Sequence, residues 1–184
     1  MNQKQKKNIV LIGFMGSGKT TVGKVLAKTL QIPVEDTDKL IEEREGRSIR
    51  DIFATEGEGF FRELETTLLR EVAFAEGHGE NLNPAGACPV QILSLGGGTP
   101  VRLENRPLIK QCGLVVYLRV RPETVYERVQ HDTGRPLLQC EDPLGRIKEL
   151  MASREDAYSE CADIIVDVDE KSVEQIVEEI ALQL

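Results

Sequence analysis

The sequence is poor in the residues that build metal–thiolate sites and histidine-dependent catalysis. Its 184 residues include no tryptophan, two histidines and four cysteines. The cysteines are Cys88, Cys112, Cys140 and Cys161. Their wide spacing, without a C-x-x-C pair, is typical of free thiols in a reducing compartment and disfavours a zinc site. His78 and His131 lie far apart in polar, glycine-containing segments, which favours surface positions over a catalytic base or a metal ligand.

Long hydrophobic runs and an excess of positive charge are also absent. The longest apolar run, 9–15, is interrupted by Gly13 and falls short of the ~20 residues that a membrane-spanning helix needs. Acidic residues outnumber basic ones by 31 to 23, and the resulting net charge of −8 argues against binding to a nucleic-acid backbone. We therefore expect a cytoplasmic protein whose partners include neither a membrane nor a nucleic acid.

An alternation of two hydrophobic patterns predicts the fold. Short apolar runs rich in β-branched residues recur, with helical patterns between them, at 9–12, 33–35, 91–95, 114–118 and 164–166. This alternation is typical of βαβ units, so we expect an α/β fold with a mainly parallel five-stranded sheet between layers of helices. With 40% hydrophobic residues, the chain is long enough for one substantial core and short for two, which predicts a single domain over 1–184.

Capping patterns predict where some of the helices begin. Residues 48–51 and 55–58 both match the capping box, in which a Ser or Thr is followed three residues later by an acidic residue. An apolar stripe that starts at Phe61 predicts a helix that ends at Gly77.

Two segments interrupt the alternation. Residues 77–89 are rich in Gly, Asn and Pro and predict an exposed loop with no obvious chemistry. Residues 131–143 combine turn residues with Arg135 and a pair of leucines. This combination predicts a mobile lid over about 129–142 that closes on a ligand, the alternative being an ordinary connector.

Residues 13–20, with the sequence Gly-Phe-Met-Gly-Ser-Gly-Lys-Thr, carry the most specific motif. They fit G-x-x-x-x-G-K-[ST] and directly follow a predicted strand. The glycines let backbone N–H groups turn toward phosphates, and the helix that begins near Gly18 adds its positive end. In this pattern Lys19 reaches the outer phosphates and Thr20 offers a hydroxyl to magnesium. The segment therefore predicts a site for a nucleoside triphosphate.

Three further segments carry side chains suited to phosphoryl transfer, which needs charge neutralisation and alignment. Asp36 and Asp38 are expected on one side of the second strand's end, where they would serve a metal and an acceptor hydroxyl; a helix N-cap is the alternative. Arg62 and Glu65 lie one helical turn apart, with a surface ion pair as the alternative. The glycines at 96–98 let a substrate approach the backbone closely.

These segments occur in an order that resembles shikimate kinase. They are the phosphate loop, D-T-D at 36–38, G-E-x-x-F-R-x-x-E at 57–65, L-G-G-G at 95–98 and R-P-L-L at 135–138, followed by Arg154 and Tyr158. The resemblance runs from about Ile9 to the end of the chain. It implies a three-layer P-loop nucleoside-triphosphate-hydrolase fold, similar to nucleoside-monophosphate kinases. It also implies that ATP phosphorylates the 3-hydroxyl of shikimate, in the biosynthesis of chorismate and aromatic amino acids.

The resemblance assigns a role to each matching residue. The ATP phosphates would be bound by Gly16, Ser17, Gly18, Lys19, Thr20 and Thr21. One Mg²⁺ would be held by Thr20 and, through water, by Asp36. Shikimate would be bound by Asp38, Arg62, Glu65, Gly96, Gly97, Gly98 and Arg154, with a substrate-binding region at about 36–65. The catalytic residues would be Lys19, Asp38 and Arg135, the last of them on the lid. Near the adenine would lie Arg128 and Lys171.

Other functions remain open at this point. A kinase for gluconate or for a nucleoside monophosphate would use the same scaffold, because two arginines alone do not distinguish one carboxylate from another. A nucleotide-controlled switch is a second alternative, although the sequence lacks the N-K-x-D motif that reads guanine. The expected partners are ATP and shikimate, and we expect a monomer. The loop at 77–89 is longer than the connector usual in the family.

Overall fold

The sheet and its strand order come from a computed structural model that describes residues 8–78, 91–130 and 140–184. The strands are β1 (Ile9–Ile12), β2 (Val34–Asp36), β3 (Ile92–Ser94), β4 (Leu114–Arg119) and β5 (Ile164–Asp167). They form one sheet in the order β2-β3-β1-β4-β5, and every neighbouring pair is parallel. The predicted five-stranded parallel sheet is confirmed, with strand ends shifted by at most one residue.

Helices connect the strands, as parallel pairing requires. They are α1 (Lys19–Leu30), α2 (Thr37–Glu45), α3 (Ile49–Thr55), α4 (Gly57–His78), α5 (Asn105–Cys112), α6 (Pro122–Val129), α7 (Pro143–Ala152), α8 (Glu155–Cys161) and α9 (Val173–Ala181), with a 3₁₀ turn at Thr99–Val101. All four residues of β1 are buried. Both faces of the central strand are therefore covered by other elements.

One of the two predicted capping boxes is wrong. Ser48 caps α3, since its side chain accepts a hydrogen bond from the backbone N–H of Asp51. Thr55 instead ends α3, and its hydroxyl donates to the Asp51 carbonyl at 2.9 Å. The next helix begins at Gly57, whose φ of 83° lies in the left-handed region that glycine tolerates. The turn between the helices therefore depends on a glycine and not on a threonine cap.

A small second core supports the region that precedes and includes the first half of α4. Ile41, Ile52, Phe61 and Leu68 pack together there, each at most 3% exposed. They join α2, α3 and α4 into one unit beside the main sheet. Phe61 and Leu68 lie on the buried face of α4, so the predicted apolar stripe is confirmed. Burial of this face fixes the rotation of α4 about its axis, and with it the directions in which the polar side chains between them extend.

Some predictions lie outside the described residues. They concern the greater part of the loop predicted at 77–89, and the central part of the lid predicted at 129–142, which includes Arg135. In the part of the chain that the structure describes, no helix is both long enough and apolar enough to cross a membrane.

Candidate active site

The phosphate loop connects β1 to α1 at the carboxyl edge of the sheet. Gly16 and Gly18 have φ of 76° and 95°, a conformation that a residue with a Cβ adopts only with strain. Lys19 opens α1, and its ammonium donates to the carbonyls of Gly13 at 2.8 Å and Phe14 at 3.1 Å. The loop thus combines a helix N-terminus with a lysine held across it, which is the arrangement expected for binding phosphates.

A hydroxyl and a carboxylate meet beside this loop. Thr20 donates to Asp36 Oδ2 at 3.2 Å, while Asp36 Oδ1 accepts the backbone N–H of Asp38 at 3.2 Å. Asp36 therefore caps α2 and also faces the first turn of α1. Oxygen ligands of these two kinds suit Mg²⁺. The expectation that both aspartates extend from the strand is wrong, because α2 starts at Thr37 and Asp38 lies in its first turn.

Asp38 is a partly buried residue whose carboxyl group has a raised pKa. Its pKa is raised from 3.8 to about 6, chiefly by burial and then by the negative charges of Glu65 and Asp36, against the opposing positive charges of Lys19 and Arg62. Its Oδ1 is buried and, among the described residues, has no hydrogen-bond partner. A carboxylate with a pKa near neutrality is well suited to accept a proton from a hydroxyl.

Arg62 and Glu65 form a partly buried ion pair on the first turns of α4. The guanidinium of Arg62 donates to Glu65 Oε2 at 2.7 Å and to Glu58 Oε1 at 2.7 Å. The Glu65 side chain is 1% exposed and that of Arg62 is 21% exposed. The alternative of a pair between two solvent-exposed side chains is therefore wrong. Because a buried carboxylate must be paired with a positive charge, the Glu65 side chain holds the Arg62 guanidinium in a defined position.

The glycine segment that follows β3 brings these side chains together. A Cβ on Gly96 would lie 2.6 Å from Asp38 Oδ1 and 2.9 Å from Glu65 Oε1. A Cβ on Gly98 would lie 2.5 Å from Arg62 Nη1. The segment therefore needs glycine because carboxylates and a guanidinium approach its backbone.

The glycine segment also contacts the phosphate loop and α8. A Cβ on Gly97 would lie 3.3 Å from the Gly13 carbonyl oxygen. The hydroxyl of Tyr158 donates to the Gly97 carbonyl at 2.6 Å, and burial raises the pKa of this phenol to about 12. The guanidinium of Arg154, at the start of α8, lies 5.6 Å from the centre of the Phe14 ring. Residues predicted to bind shikimate thus lie beside the loop predicted to bind the ATP phosphates.

The two residues predicted near adenine lie in different surroundings. Arg128, at the end of α6, donates to the Gly16 carbonyl at 2.8 Å and so contacts the phosphate loop. Lys171 follows β5 and pairs with Glu179 of α9 at 2.5 Å. The structure therefore brings Arg128 to the loop, whereas the contacts of Lys171 in the described part of the chain join it to α9.

Two residues that touch this site, Phe14 and Thr99, had no predicted role. Phe14 occupies a variable position of the phosphate-loop motif, where no pattern marks it. Thr99 donates a hydrogen bond to Glu65 Oε1, and its only signal in the sequence is its position directly after the three glycines.

Comparison with known proteins agrees with this geometry. The family model for shikimate kinase matches residues 15–184. A shikimate kinase from Thioalkalivibrio sulfidiphilus is 42% identical over 177 residues, which cover 96% of this chain and 86% of that protein. The solved structure of a shikimate kinase from Acinetobacter baumannii in complex with shikimate is 34% identical, with a TM-score of 0.84, and the match covers 98% of this chain and 93% of that one.

A more distant structural neighbour shares only the fold with this chain. The solved structure of a gluconokinase from Sinorhizobium meliloti is 19% identical, with a TM-score of 0.55, over 95% of this chain and 89% of that one. At this level of identity the likeness concerns the fold alone. The match over nearly the whole chain at 42% identity is of a different kind, and the chain belongs to the shikimate kinase family.

Proposed function

We propose that the protein transfers the γ-phosphoryl group of ATP to the 3-hydroxyl of shikimate, which yields shikimate 3-phosphate and ADP on the route to chorismate and the aromatic amino acids. Membership of the family supports this activity. The observation that carries it in the structure is the convergence of Asp38, Glu65 and Arg62 on the glycines at 96–98. These glycines also contact the phosphate loop, so a small acceptor bound against them would lie close to the end of a triphosphate.

On the donor side, residues 16–21 would bind the phosphates of ATP through backbone N–H groups and the side chain of Lys19. Thr20 and Asp36 would hold one Mg²⁺, the aspartate through water, and their adjacency supports this pairing. When bound with ATP, the ion offsets charge on the phosphate oxygens. Arg128 and Lys171 are the residues proposed near the adenine.

On the acceptor side, Asp38 would orient the 3-hydroxyl and take its proton. As the hydroxyl oxygen bonds to the γ-phosphorus, the bond to the bridging oxygen of ADP breaks, and ADP leaves with that electron pair. A pKa of about 6 leaves Asp38 mostly ionised at neutral pH, where it accepts this proton. Arg135, on the proposed lid, would offset charge on the transferred group, and closure of the lid would exclude water.

The shikimate carboxylate would be bound by Arg62 and Arg154, with Glu65 holding Arg62 and the glycines at 96–98 lying against the ring. A guanidinium matches a carboxylate because its two parallel N–H groups donate to both oxygens.

The proposal further includes one domain over 1–184, with the substrate-binding region at about 36–65 and the lid at about 129–142. It also includes a monomeric enzyme that does not bind nucleic acid, while the cytoplasmic location stays a prediction.

The activity is tested by measuring ADP release after ATP and Mg²⁺ are mixed with one candidate acceptor at a time. Shikimate, gluconate and a nucleoside monophosphate are the acceptors that separate the alternatives. We expect ADP to form in proportion to added shikimate, with a phosphorylated product of matching amount. ADP release with gluconate or the monophosphate, and none with shikimate, would contradict the proposal.

A further inference from the structure

Four polar side chains lie buried behind the acceptor side of the site. Glu65 and Thr66 lie on α4, Thr99 opens the 3₁₀ turn after the glycine segment, and Asn105 opens α5. Each of them is at most 2% exposed. We refer to Glu65, Thr66, Thr99 and Asn105 as the buried polar ring. Such groups are costly to bury unless they are hydrogen-bonded, so their partners matter.

Hydrogen bonds connect the members of the ring in sequence. The Thr99 hydroxyl donates to Glu65 Oε1. The Asn105 amide donates to the Thr99 carbonyl at 3.0 Å, and the Thr66 hydroxyl donates to Asn105 Oδ1 at 2.8 Å. The ring closes through the backbone because Glu65 and Thr66 are neighbours on α4. It therefore fixes the start of the 3₁₀ turn relative to one face of α4.

The ring acts on the carboxylate that holds Arg62. Glu65 Oε2 accepts the guanidinium of Arg62 at 2.7 Å, while its other oxygen accepts the Thr99 hydroxyl. Both oxygens are thus engaged, and rotation of the carboxylate about its bond would break one of the two contacts. The Thr99 hydroxyl therefore determines how the carboxylate presents its other oxygen to Arg62.

We propose that Thr99 is a positioning residue for recognition of the acceptor. Through Glu65 it sets the direction of the Arg62 guanidinium, and through its hydrogen-bonded carbonyl it holds the glycine segment against α4. This inference rests on the proposed function, because it takes Arg62 to bind the acceptor carboxylate. Thr99 does not touch the reacting groups, so its effect reaches the substrate only through Arg62 and the glycine segment.

The isosteric change Thr99→Val separates positioning from packing. Valine keeps the shape of the side chain but leaves Glu65 Oε1 buried without its donor. The carboxylate would then rotate or recruit water, and Arg62 would lose its orientation. A purely structural role predicts a lower melting temperature with unchanged selectivity, whereas positioning predicts a change in how the enzyme discriminates between acceptors.

The experiment compares Thr99→Val with two controls. Thr99→Ser keeps the hydroxyl, and Thr29→Val removes a hydroxyl that donates to the Val25 carbonyl at an exposed position of α1. For each variant, kcat and KM are measured with shikimate, with its methyl ester and with varied ATP, alongside the melting temperature. The ratio of kcat/KM for acid and ester reports on carboxylate recognition and does not depend on the fraction of protein that is folded.

We expect Thr99→Val to lower kcat/KM for shikimate by about 10- to 100-fold, chiefly through KM, and to narrow the preference for acid over ester. The KM for ATP should stay within about twofold, since the hydrogen bonds described above for the buried polar ring join α4, the 3₁₀ turn and α5 and do not involve the phosphate loop. Thr99→Ser and Thr29→Val should behave like the parent protein. An unchanged acid-to-ester ratio in Thr99→Val would overturn the inference.

A second variant covers the case in which Thr99→Val does not fold. The Thr66 hydroxyl lies 2.8 Å from Asn105 Oδ1, 2.9 Å from the Arg62 carbonyl oxygen and 3.3 Å from Arg102 Nη1. Thr66→Val removes these contacts but keeps the hydrogen bond from Thr99 to Glu65, so it should shift the acid-to-ester ratio in the same direction by a smaller factor; no shift would overturn the inference. A parent protein without shikimate-dependent ADP release would overturn the proposed function and this inference together. An active parent with unaltered selectivity in the ring variants would overturn this inference alone.

Discussion

The donor side and the acceptor side of the site are built in different ways. The phosphate-binding part of the donor side is one contiguous stretch, 13–21, in which backbone conformation and a helix N-terminus create the binding surface. The acceptor side consists of side chains on α2, α4 and α8, brought together at a glycine segment that follows β3. A local motif is therefore sufficient for the first surface, whereas the second requires the complete fold. We therefore expect that a substitution on one side can impair the function of that side without impairing the other.

The largest expected effect comes from changing one residue on each side. Asp38→Asn should lower kcat by about 10²- to 10⁴-fold, the usual range for a positioned acid or base, while ATP and shikimate still bind. Lys19→Ala should instead weaken ATP binding and leave shikimate binding intact, because the lysine lies across the phosphate loop. Calorimetric titration of each variant with each substrate measures the separation.

The two variants serve as controls for each other. If Asp38→Asn lost ATP binding but kept shikimate binding, the assignment of Asp38 to the acceptor side would be wrong. Loss of both substrates in either variant, in protein that melts normally, would mean that the two sides are not separable.

The donor side could be predicted from the sequence more completely than the acceptor side. The phosphate loop could be located in full, because its eight residues are contiguous and each contributes through backbone shape or chain order. Asp38 was expected at the correct edge of the sheet but in the wrong element, since Asp36 caps a helix that starts at Thr37 and includes Asp38. The family and fold were predicted correctly from motifs in order.

The contacts that hold the acceptor side could not be predicted from the sequence. Thr99 and Glu65 are 34 residues apart, and Thr66 and Asn105 are 39 residues apart. No periodicity or spacing links such residues, because they meet only after α4 and α5 pack together. The failed cap at Thr55 has a similar cause, since a pattern of residue types does not reveal that Gly57 takes a positive φ.

A smaller effect is expected from adding one methyl group to the acceptor side. In Gly98→Ala the new Cβ would lie 2.5 Å from Arg62 Nη1, so the guanidinium must move. We expect kcat/KM for shikimate to fall by about 10- to 100-fold while the KM for ATP is unchanged. The matched control is Gly59→Ala on α4, where a Cβ meets nothing within 4 Å. That control should keep parent kinetics and gain about 0.5–1 kcal/mol of stability.

The raised pKa of Asp38 predicts a pH-dependent difference in stability. A pKa of about 6 in the folded state, against 3.8, means that the folded state binds the proton more tightly. The stabilisation is therefore complete below about pH 4 and is lost as the pH rises through 6. Relative to the parent, Asp38→Asn should gain about 2.4 kcal/mol in the free energy of unfolding between pH 4 and pH 7. Urea unfolding at both pH values measures this, and a difference that does not vary with pH would contradict the assigned pKa.

The smallest effect is expected outside both sides of the site. Replacing the residues between His78 and Cys88 with a short Gly/Ser linker should leave kcat within about twofold, because nothing in that sequence matches a chemical role. The measurement is kcat with saturating ATP and shikimate. A large fall in kcat, in a variant with an unchanged melting temperature, would assign this segment to the site.

Recognition of the acceptor depends most on the contact between Arg62 and the acceptor carboxylate. The direct measurement is kcat/KM for shikimate and for its methyl ester, in the parent and in Arg62→Ala. The parent should prefer the acid by about 2–5 kcal/mol, because the ester offers the partly buried guanidinium no charged group of the substrate to pair with. In Arg62→Ala this preference should shrink markedly. Equal selectivity in the two proteins would mean that Arg62 does not bind the carboxylate, and the assignment of the acceptor side would be wrong.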